Sequence, residues 1–203
     1  MCNSCSQTSL RIIPPICIKC GRPEFNGKLC PACWNWNNQI DGIRSVFRFD
    51  GAIRQAIYEL KYHQLKAVAV DIAEVLAGYL KEYPLIGNVL VPVPLHDNRL
   101  RQRGYNQSVL ITKKLNKLIN LPYIIDSLIR TKDSLPQART SSVQLRHKNV
   151  FDAFICKDNR LRNKQVILID DVSTSGATLE ACAVALKKAG ALSVWGLTVA
   201  KEI

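Results

Sequence analysis

The chain has 203 residues, 47% of them hydrophobic, and a formal net charge of +12. This length and composition support one or two domains built around an apolar core. No segment reaches the roughly 18 consecutive apolar residues of a membrane span, and the N-terminal residues lack a signal-peptide pattern. We therefore predict a cytoplasmic protein without a membrane span.

The N-terminal segment is rich in cysteine. Six of the eight cysteines lie in the first 33 residues, as three C-x-x-C pairs: Cys2 and Cys5, Cys17 and Cys20, Cys30 and Cys33. Clustered pairs of this kind, without a signal peptide, favour metal binding in a reducing compartment over disulfides.

The second and third pairs are separated by nine residues, and each pair lies in a predicted tight turn. Four thiolates so placed can converge tetrahedrally on zinc, and a site with four protein ligands is closed and structural. We predict a zinc ribbon over residues 1–42, with Cys17, Cys20, Cys30 and Cys33 as ligands. The alternative is that these are free, buried cysteines.

The composition changes near residue 40, and we predict a second domain over residues 43–203. Apolar runs or alternation predict strands, and spacing of three or four residues predicts helices. The predicted strands cover 45–49, 88–94, 166–170 and 194–200, and the predicted helices cover 52–60, 72–80, 108–119 and 177–188. Segment 131–149 has little periodicity and is predicted to be a loop. Strands that alternate with helices indicate an α/β fold with a mostly parallel sheet.

Segment 166–178 reads VILIDDVSTSGAT and carries the strongest functional signal. Four apolar residues predict a buried strand, and Asp170 and Asp171 follow at its C-terminal end, where parallel sheets place their ligands. The next residues predict a loop that opens a helix, and such a loop binds phosphate through backbone N–H groups and the helix dipole. A ribose 5′-phosphate fits this pattern, with the sugar hydroxyls on the two carboxylates. The alternative is a strand followed by solvated acids and a helix cap.

This segment resembles the phosphoribosyl pyrophosphate signature of type I phosphoribosyltransferases, and the whole chain resembles the ComF family. The further segments that carry this resemblance are the C-x-x-C pairs, VPVPL at 91–95, RLRQRGYNQ at 99–107 and PQARTSSVQLRHKNV at 136–150. The resemblance implies a type I phosphoribosyltransferase-like domain that binds phosphoribosyl pyrophosphate with Mg²⁺. The implied ligand-binding residues are Val93, Pro94, Arg103, Asp170, Asp171, Ser173, Thr174, Ser175, Gly176, Ala177 and Thr178.

The resemblance also bears on three other segments. It implies that 132–149 is a flexible loop over the site. ComF relatives commonly carry Tyr-Thr-Thr where this chain has Ser173, Thr174 and Ser175, so an aromatic ring is lost at the first position. Cys2 and Cys5 correspond to half of a second metal site. Three alternatives are open for these two cysteines. They form a half-site, they form a metal site that another molecule completes, or they compete with a downstream cysteine pair for the metal.

Most of the net charge lies in one part of the chain. Residues 96–164 contain 15 Lys and Arg against 5 Asp and Glu, or +10 of the +12. Such a block attracts a polyphosphate, a nucleic acid or both, although it is also typical of a solvated surface. Within it, Arg99, Arg101 and Arg103 are candidate contacts to pyrophosphate or DNA, and Tyr105 is a candidate for stacking on a base.

Two functions follow from these patterns and the resemblance. The first is binding of phosphoribosyl pyrophosphate by a protein that supports the handling of incoming single-stranded DNA in natural transformation, together with other competence proteins. The second is an active phosphoribosyltransferase with an unknown acceptor. No residue of the sequence selects a base, and no general base is evident, so the catalytic residues are left unassigned.

Overall fold

The computed structural model describes residues 9–23, 25, 27–34, 39–132 and 152–203. In chain order the elements are α1 (Pro31–Trp34), β1 (Gly42–Arg48), α2 (Gly51–Tyr62), α3 (Val68–Glu82), β2 (Val89–Pro92), α4 (Asp97–Arg103), α5 (Gln107–Ile119), β3 (Leu128–Arg130), β4 (Phe154–Cys156), β5 (Gln165–Ser173), α6 (Ala177–Lys188) and β6 (Ser193–Lys201). None of these helices is long and apolar enough to cross a membrane.

Four strands form the main sheet in the order β1-β6-β5-β2, and all neighbouring strands are parallel. The predicted α/β fold with a parallel sheet is confirmed. Strand β5 is longer than predicted because it pairs with β6 as far as Ser173 and Lys201. Its other neighbour, β2, pairs with it only as far as Ile169. Asp170 and Asp171 therefore stand beyond the end of β2.

The central strand β5 is buried on both faces, because its alternating side chains enter two separate cores. Val166 and Leu168 pack with α6, and Ile167 and Ile169 pack on the opposite face with α2, α3 and α5. The helical residues in these cores include Leu179, Cys182 and Leu186 on one face and Ile57, Leu76 and Ile111 on the other. Helices on both faces hold the strand ends, and thus the acidic pair, in fixed positions.

The sequence-based prediction did not include helix α4 or the pairing of β3 with β4. Helix α4 occupies a segment for which the apolar pattern predicted no helix, and it has no buried residue. Strands β3 and β4 form a separate antiparallel pair, with Ile129 opposite Ile155. Their partners are far apart in the chain, so no local pattern indicates the pairing. The predicted loop 131–149 lies outside the described residues from 133 onward.

The cysteine-rich segment is attached to the edge strand β1 by backbone hydrogen bonds. Ile12 N donates to Val46 O at 2.8 Å, and Ile43 N donates to Lys19 O at 2.7 Å. Gly21 has φ +68°, and a Cβ there would lie 2.7 Å from Ile43 O, so glycine permits this close approach. The segment covers part of a strand edge that would otherwise be exposed to pairing with other chains.

Candidate functional site: an acidic pair, a glycine-capped loop and a cysteine centre

Asp170 and Asp171 lie near the C-terminal end of β5, as predicted, but both are buried, with 9% and 3% of their surface exposed. Asp170 Oδ1 accepts hydrogen bonds from Ser108 Oγ at 3.0 Å and from the backbone N–H of Asp171 at 2.9 Å. Sequence reasoning did not identify Ser108 as a contact of Asp170. Asn106 is the N-cap of α5, and its side chain accepts a hydrogen bond from Ser108 N.

The carboxyl group of Asp170 is held in an environment that disfavours its charged form. Burial, and after it the neighbouring charge of Asp171, raise its pKa to about 7, although Lys61 and hydrogen bonds from Asp171 and Ser108 oppose the shift. Asp170 therefore exchanges its proton near neutral pH, which is the range in which a side chain can act as an acid or a base.

Lys61 is a site residue that sequence reasoning missed. It lies in the last turn of α2, and its Nζ is 2.7 Å from Asp171 Oδ2. The side chains are 22% and 5% exposed, so this is a largely buried ion pair. Because the two residues are more than a hundred positions apart, only the packing of α2 against the sheet brings them together.

The loop between β5 and α6 provides backbone N–H groups at a helix N-terminus. Gly176 has φ +82° and is the N-cap of α6, where glycine adopts the left-handed conformation without a Cβ penalty. Ala177 N is 3.4 Å from Ser175 Oγ. Thr174 is exposed, and Ser175 and Thr178 are half-buried. Ser173, predicted in the loop, is instead buried at the end of β5.

The segment after β2 runs beside the acidic pair. Val93 N donates to Ile169 O at 3.0 Å, directly before Asp170. Val93 O accepts from Asn106 Nδ2 at 2.9 Å, which fixes this segment to the start of α5. Val93 is buried and Pro94 is half-buried. The two predicted loops, after β2 and after β5, are thus brought to the same end of the sheet.

A basic cavity of about 320 Å³ adjoins the acidic pair through Lys61. Arg99 and Arg103 line it from α4, and Tyr62 lines it from α2. Arg103 donates to Gln107 Oε1 at 2.6 Å, and its guanidinium lies 5.5 Å from the centre of the Tyr62 ring. Arg101 does not line this cavity, and its guanidinium donates to Asn98 Oδ1 at 2.6 Å.

The stacking role predicted for Tyr105 is wrong, because its ring is inside the protein. Tyr105 is only 8% exposed and belongs to the core formed with α2, α3 and α5. Its hydroxyl donates to the backbone carbonyl of Leu60, and Lys66 lies 5.0 Å from the ring centre. A ring held in this way offers no face to an incoming base.

The four cysteines of the second and third pairs converge on one point. All are buried, and their sulfur atoms lie within 4.8 Å of one another. Cys20 Sγ and Cys30 Sγ are 3.6 Å apart, close to the ~3.8 Å edge of a zinc tetrathiolate with bonds of about 2.3 Å. Burial raises the pKa of Cys17, but backbone hydrogen bonds from Cys20, Cys30 and Lys19 outweigh it and bring the pKa to about 7.

This donor set fits a tetrahedral metal ion, and zinc most readily, because four thiolates leave no open position. The prediction that Cys17, Cys20, Cys30 and Cys33 come together is confirmed. Cys2 and Cys5 lie outside the described residues.

Lys201, at the end of β6, is a second basic residue that sequence reasoning missed. It is only 3% exposed, and its Nζ lies 3.4 Å from Thr174 O in the loop between β5 and α6. Burial lowers its pKa, while attraction to the thiols of Cys20, Cys33 and Cys30 opposes this shift. The ammonium group therefore contacts the loop between β5 and α6.

Comparison with curated proteins identifies relatives over nearly the whole chain. The chain is 29% identical to competence protein ComFC of Bacillus subtilis, covering 100% of this chain and 84% of the relative. It is 26% identical to competence protein F of Haemophilus influenzae, with 97% and 89% covered. The chain is a homologue of the ComF proteins. The DNA utilization protein YhgH of Escherichia coli is also 26% identical, with 96% and 87% covered. The ComF resemblance seen in the sequence is thereby confirmed, although no family model matches the chain.

Among solved structures, the likeness to this chain is partial. A glutamine phosphoribosylpyrophosphate amidotransferase from Bacillus subtilis gives a TM-score of 0.44 at 20% identity, covering 64% of this chain and 25% of that one. A purine phosphoribosyltransferase from Pyrococcus horikoshii gives 0.40 at 20% identity, with 66% and 73% covered.

Proposed function

We propose that this protein binds phosphoribosyl pyrophosphate, or a related ribose phosphate, at the end of β5. The observation that carries the proposal is the placement of two buried carboxylates directly before a glycine-capped helix N-terminus. A phosphate alone would be repelled by Asp170 and Asp171. A sugar phosphate uses both features, because its hydroxyls donate to the carboxylates and its phosphate accepts from the loop N–H groups.

The remaining parts of the ligand have candidate partners nearby. The 5′-phosphate would be bound by residues 174–178, and the diphosphate would lie toward Val93 and Pro94. Arg103, on the wall of the basic cavity, supplies positive charge on that side. Mg²⁺ would accompany the ligand and offset the charge of its diphosphate. Asp171 is already paired with Lys61, so the ligand has to share or displace that ion pair.

A second part of the proposal is a structural zinc ion in the cysteine centre. The four converging sulfur atoms support it. The cysteine-rich segment has only a small apolar core, so a bound metal would supply folding energy that its packing cannot. The zinc ribbon would comprise residues 1–42 and the ligand-binding domain residues 43–203.

At the level of the cell, we propose a cytoplasmic role in the handling of incoming single-stranded DNA, together with other competence proteins. The support comes from relatives named as competence or DNA utilization proteins. The cluster Arg99, Arg101 and Arg103 on the exposed helix α4 provides positive charge for a DNA backbone. Because Tyr105 is buried, such binding would depend on charge, without stacking on that ring.

An active phosphoribosyltransferase is the second candidate function. The observation that favours it is the pKa of about 7 at Asp170, which permits proton transfer beside the proposed ribose. In this reaction the bond between ribose C1 and the diphosphate oxygen would break, and the diphosphate would leave with its electron pair. An acceptor nitrogen would form the new bond to C1 and lose its proton to the ionised carboxylate of Asp170. The acceptor is unassigned.

Calorimetric titration of the full chain with phosphoribosyl pyrophosphate and Mg²⁺ tests the central proposal. We expect saturable binding, and weaker binding of ribose 5-phosphate, which lacks the diphosphate. The absence of any binding heat at millimolar phosphoribosyl pyrophosphate contradicts the proposal. Release of pyrophosphate that depends on an added acceptor would favour the enzyme, and anisotropy with labelled single-stranded DNA would test the DNA role separately.

A further inference from the structure

Two tyrosines near the end of α2 expose their rings to solvent. Tyr58 and Tyr62 are 48% and 61% exposed, more than any of the other four tyrosines. They are four residues apart, so they lie on the same face of the helix, and their ring centres are 4.8 Å apart. The ring of His63 extends this aromatic patch, since its centre is 5.3 Å from that of Tyr58. Adjoining rings left in water are typical of a surface that binds a partner.

The aromatic patch borders the basic cavity described above. Tyr62 belongs to both, because it also lines the cavity. The other lining residues carry basic or amide side chains, with no acid among those that the structure describes: Lys61, Gln64, Arg99, Gln102 and Arg103. This part of the surface therefore offers flat rings and positive charge side by side.

Arg103 is held at the boundary between the patch and the cavity. Its guanidinium lies 5.5 Å from the centre of the Tyr62 ring and donates to Gln107 Oε1 at 2.6 Å. Both partners are neutral, so neither contact compensates the charge. Tyr62 remains 61% exposed despite its contacts, which leaves ring surface for a further planar group. A guanidinium is itself planar and stacks on flat groups, so it extends the stacking surface.

A ligand that matches both features carries flat rings and negative charges in close alternation. Single-stranded DNA has this chemistry, because its unpaired bases expose their faces and each nucleotide carries a phosphate. In a duplex the bases are stacked on one another, so their faces are not open to a side chain. A surface of rings beside cations therefore distinguishes a single strand from a duplex.

We propose that Tyr58 and Tyr62 form a stacking surface for the bases of single-stranded DNA, whose phosphates lie along Arg99 and Arg103. This inference rests on the DNA part of the proposed function and gives it a second component besides charge. It does not depend on the ribose phosphate site. Because every base has a face that can stack, the surface has little preference for sequence.

Anisotropy titrations with two labelled oligomers of equal length test the stacking. One is a thymidine oligomer, and the other has abasic sites throughout, so it carries the same phosphates without bases. The wild type should bind the thymidine oligomer about tenfold more tightly, a difference within the range for a stacked base. Tyr58→Leu combined with Tyr62→Leu should lose this preference and keep the affinity for the abasic oligomer. Arg99→Gln combined with Arg103→Gln should instead reduce the salt dependence for both oligomers.

Two control variants separate stacking from other effects of substitution. Tyr58→Phe combined with Tyr62→Phe keeps both rings and should bind the thymidine oligomer like the wild type. Tyr123→Leu changes a tyrosine that is 38% exposed and does not line the cavity, and it should also bind like the wild type.

The outcomes separate this inference from the proposed function. If the wild type binds neither oligomer at micromolar protein, the DNA role is wrong and the inference fails with it. If the wild type binds both oligomers equally, or the leucine variant keeps the preference for thymidine, only the inference is overturned. The comparison of the two oligomers on the wild type needs no variant, so it decides even if the leucine variant does not fold.

Two other occupants of the aromatic patch are tested directly. Sedimentation velocity without DNA shows whether the patch joins two copies of the chain, and an oligomer that the leucine variant dissociates would overturn the inference. Thymidine 5′-monophosphate tests for a free nucleotide. If it displaces the thymidine oligomer at an equal concentration of nucleotide units, the surface is a nucleotide site and the inference is wrong.

Discussion

Lys61 Nζ lies 2.7 Å from Asp171 Oδ2, and this ion pair joins the last turn of α2 to the acidic pair of β5. The carboxylate side chain is 5% exposed, so removing the cation leaves a buried charge without its partner. Such a pair contributes little relative to an apolar replacement of both partners, but breaking it on one side is costly.

Lys61→Met should therefore lower the free energy of unfolding by about 3 kcal/mol, measured by urea denaturation at pH 7.5. Adding Asp171→Asn should recover part of this loss, because the buried charge is then gone. Lys114→Met, on an exposed lysine of α5, is the matched control and should change stability by less than about 0.5 kcal/mol. A Lys61→Met variant as stable as this control would show that the pair is not structurally important.

The raised pKa of Asp170 predicts a dependence of stability on pH. The folded protein keeps this proton up to a pH of about 7, whereas the unfolded chain loses it near its ordinary value of 3.8. The folded state binds more protons between these values, so the contribution of Asp170 to stability falls as the pH rises through this window. Asp170→Asn should remove this fall.

At pH 8 we expect Asp170→Asn to be more stable than the wild type by about 1–3 kcal/mol, with the difference shrinking toward pH 4. Thermal unfolding of both proteins over this range measures it. A difference that is constant with pH would mean that Asp170 is not the titrating group.

Substitution of the acidic pair also tests the proposed ligand binding. Asp170→Asn and Asp171→Asn each replace a carboxylate that would accept from ribose hydroxyls, and each should weaken phosphoribosyl pyrophosphate binding at least about tenfold by calorimetry. Asp152→Asn, an exposed acid near the C-terminal end of α6, is the control and should bind like the wild type. Unchanged affinity in both variants, with the fold retained, would remove the acidic pair from the site.

The cysteine centre predicts metal content. Protein purified without chelators should contain zinc bound by Cys17, Cys20, Cys30 and Cys33, and Cys30→Ser should lose it and unfold at a lower temperature. Cys182→Ser changes a buried cysteine outside the centre and should keep the metal. Elemental analysis that finds metal-free wild type, with all thiols open to titration, would contradict the zinc proposal.

Salt dependence tests the DNA proposal. Replacing Arg99, Arg101 and Arg103 with Gln should weaken binding to single-stranded DNA and reduce the slope of log affinity against log salt, by up to about 0.7 per lost phosphate contact. Replacing Lys113, Lys114 and Lys117 of α5 removes the same charge and should have a smaller effect. Tyr105→Phe, which keeps the buried ring, should not change binding. Equal effects of the two triple variants would indicate general charge attraction and no site on α4.

The sequence by itself determined the features that depend on neighbouring residues. The apolar run before Asp170 and Asp171 predicted the central strand, and the residue spacing over 177–188 predicted the helix that follows. The spacing of the C-x-x-C pairs predicted the cysteine centre, because each pair closes its own turn. These patterns are local, so they can be read without knowing where the chain goes next.

Only the tertiary structure decided which distant residues meet at those features. Lys61 and Ser108 reach the acidic pair from two helices, and Lys201 reaches the loop between β5 and α6 from a strand that follows it in sequence. Tyr105, beside three arginines in the sequence, was predicted to stack on a base and is instead buried in the core that contains residues of α2, α3 and α5. The direction of a side chain depends on how helices and strands pack, and burial then sets the charge and pKa of Asp170.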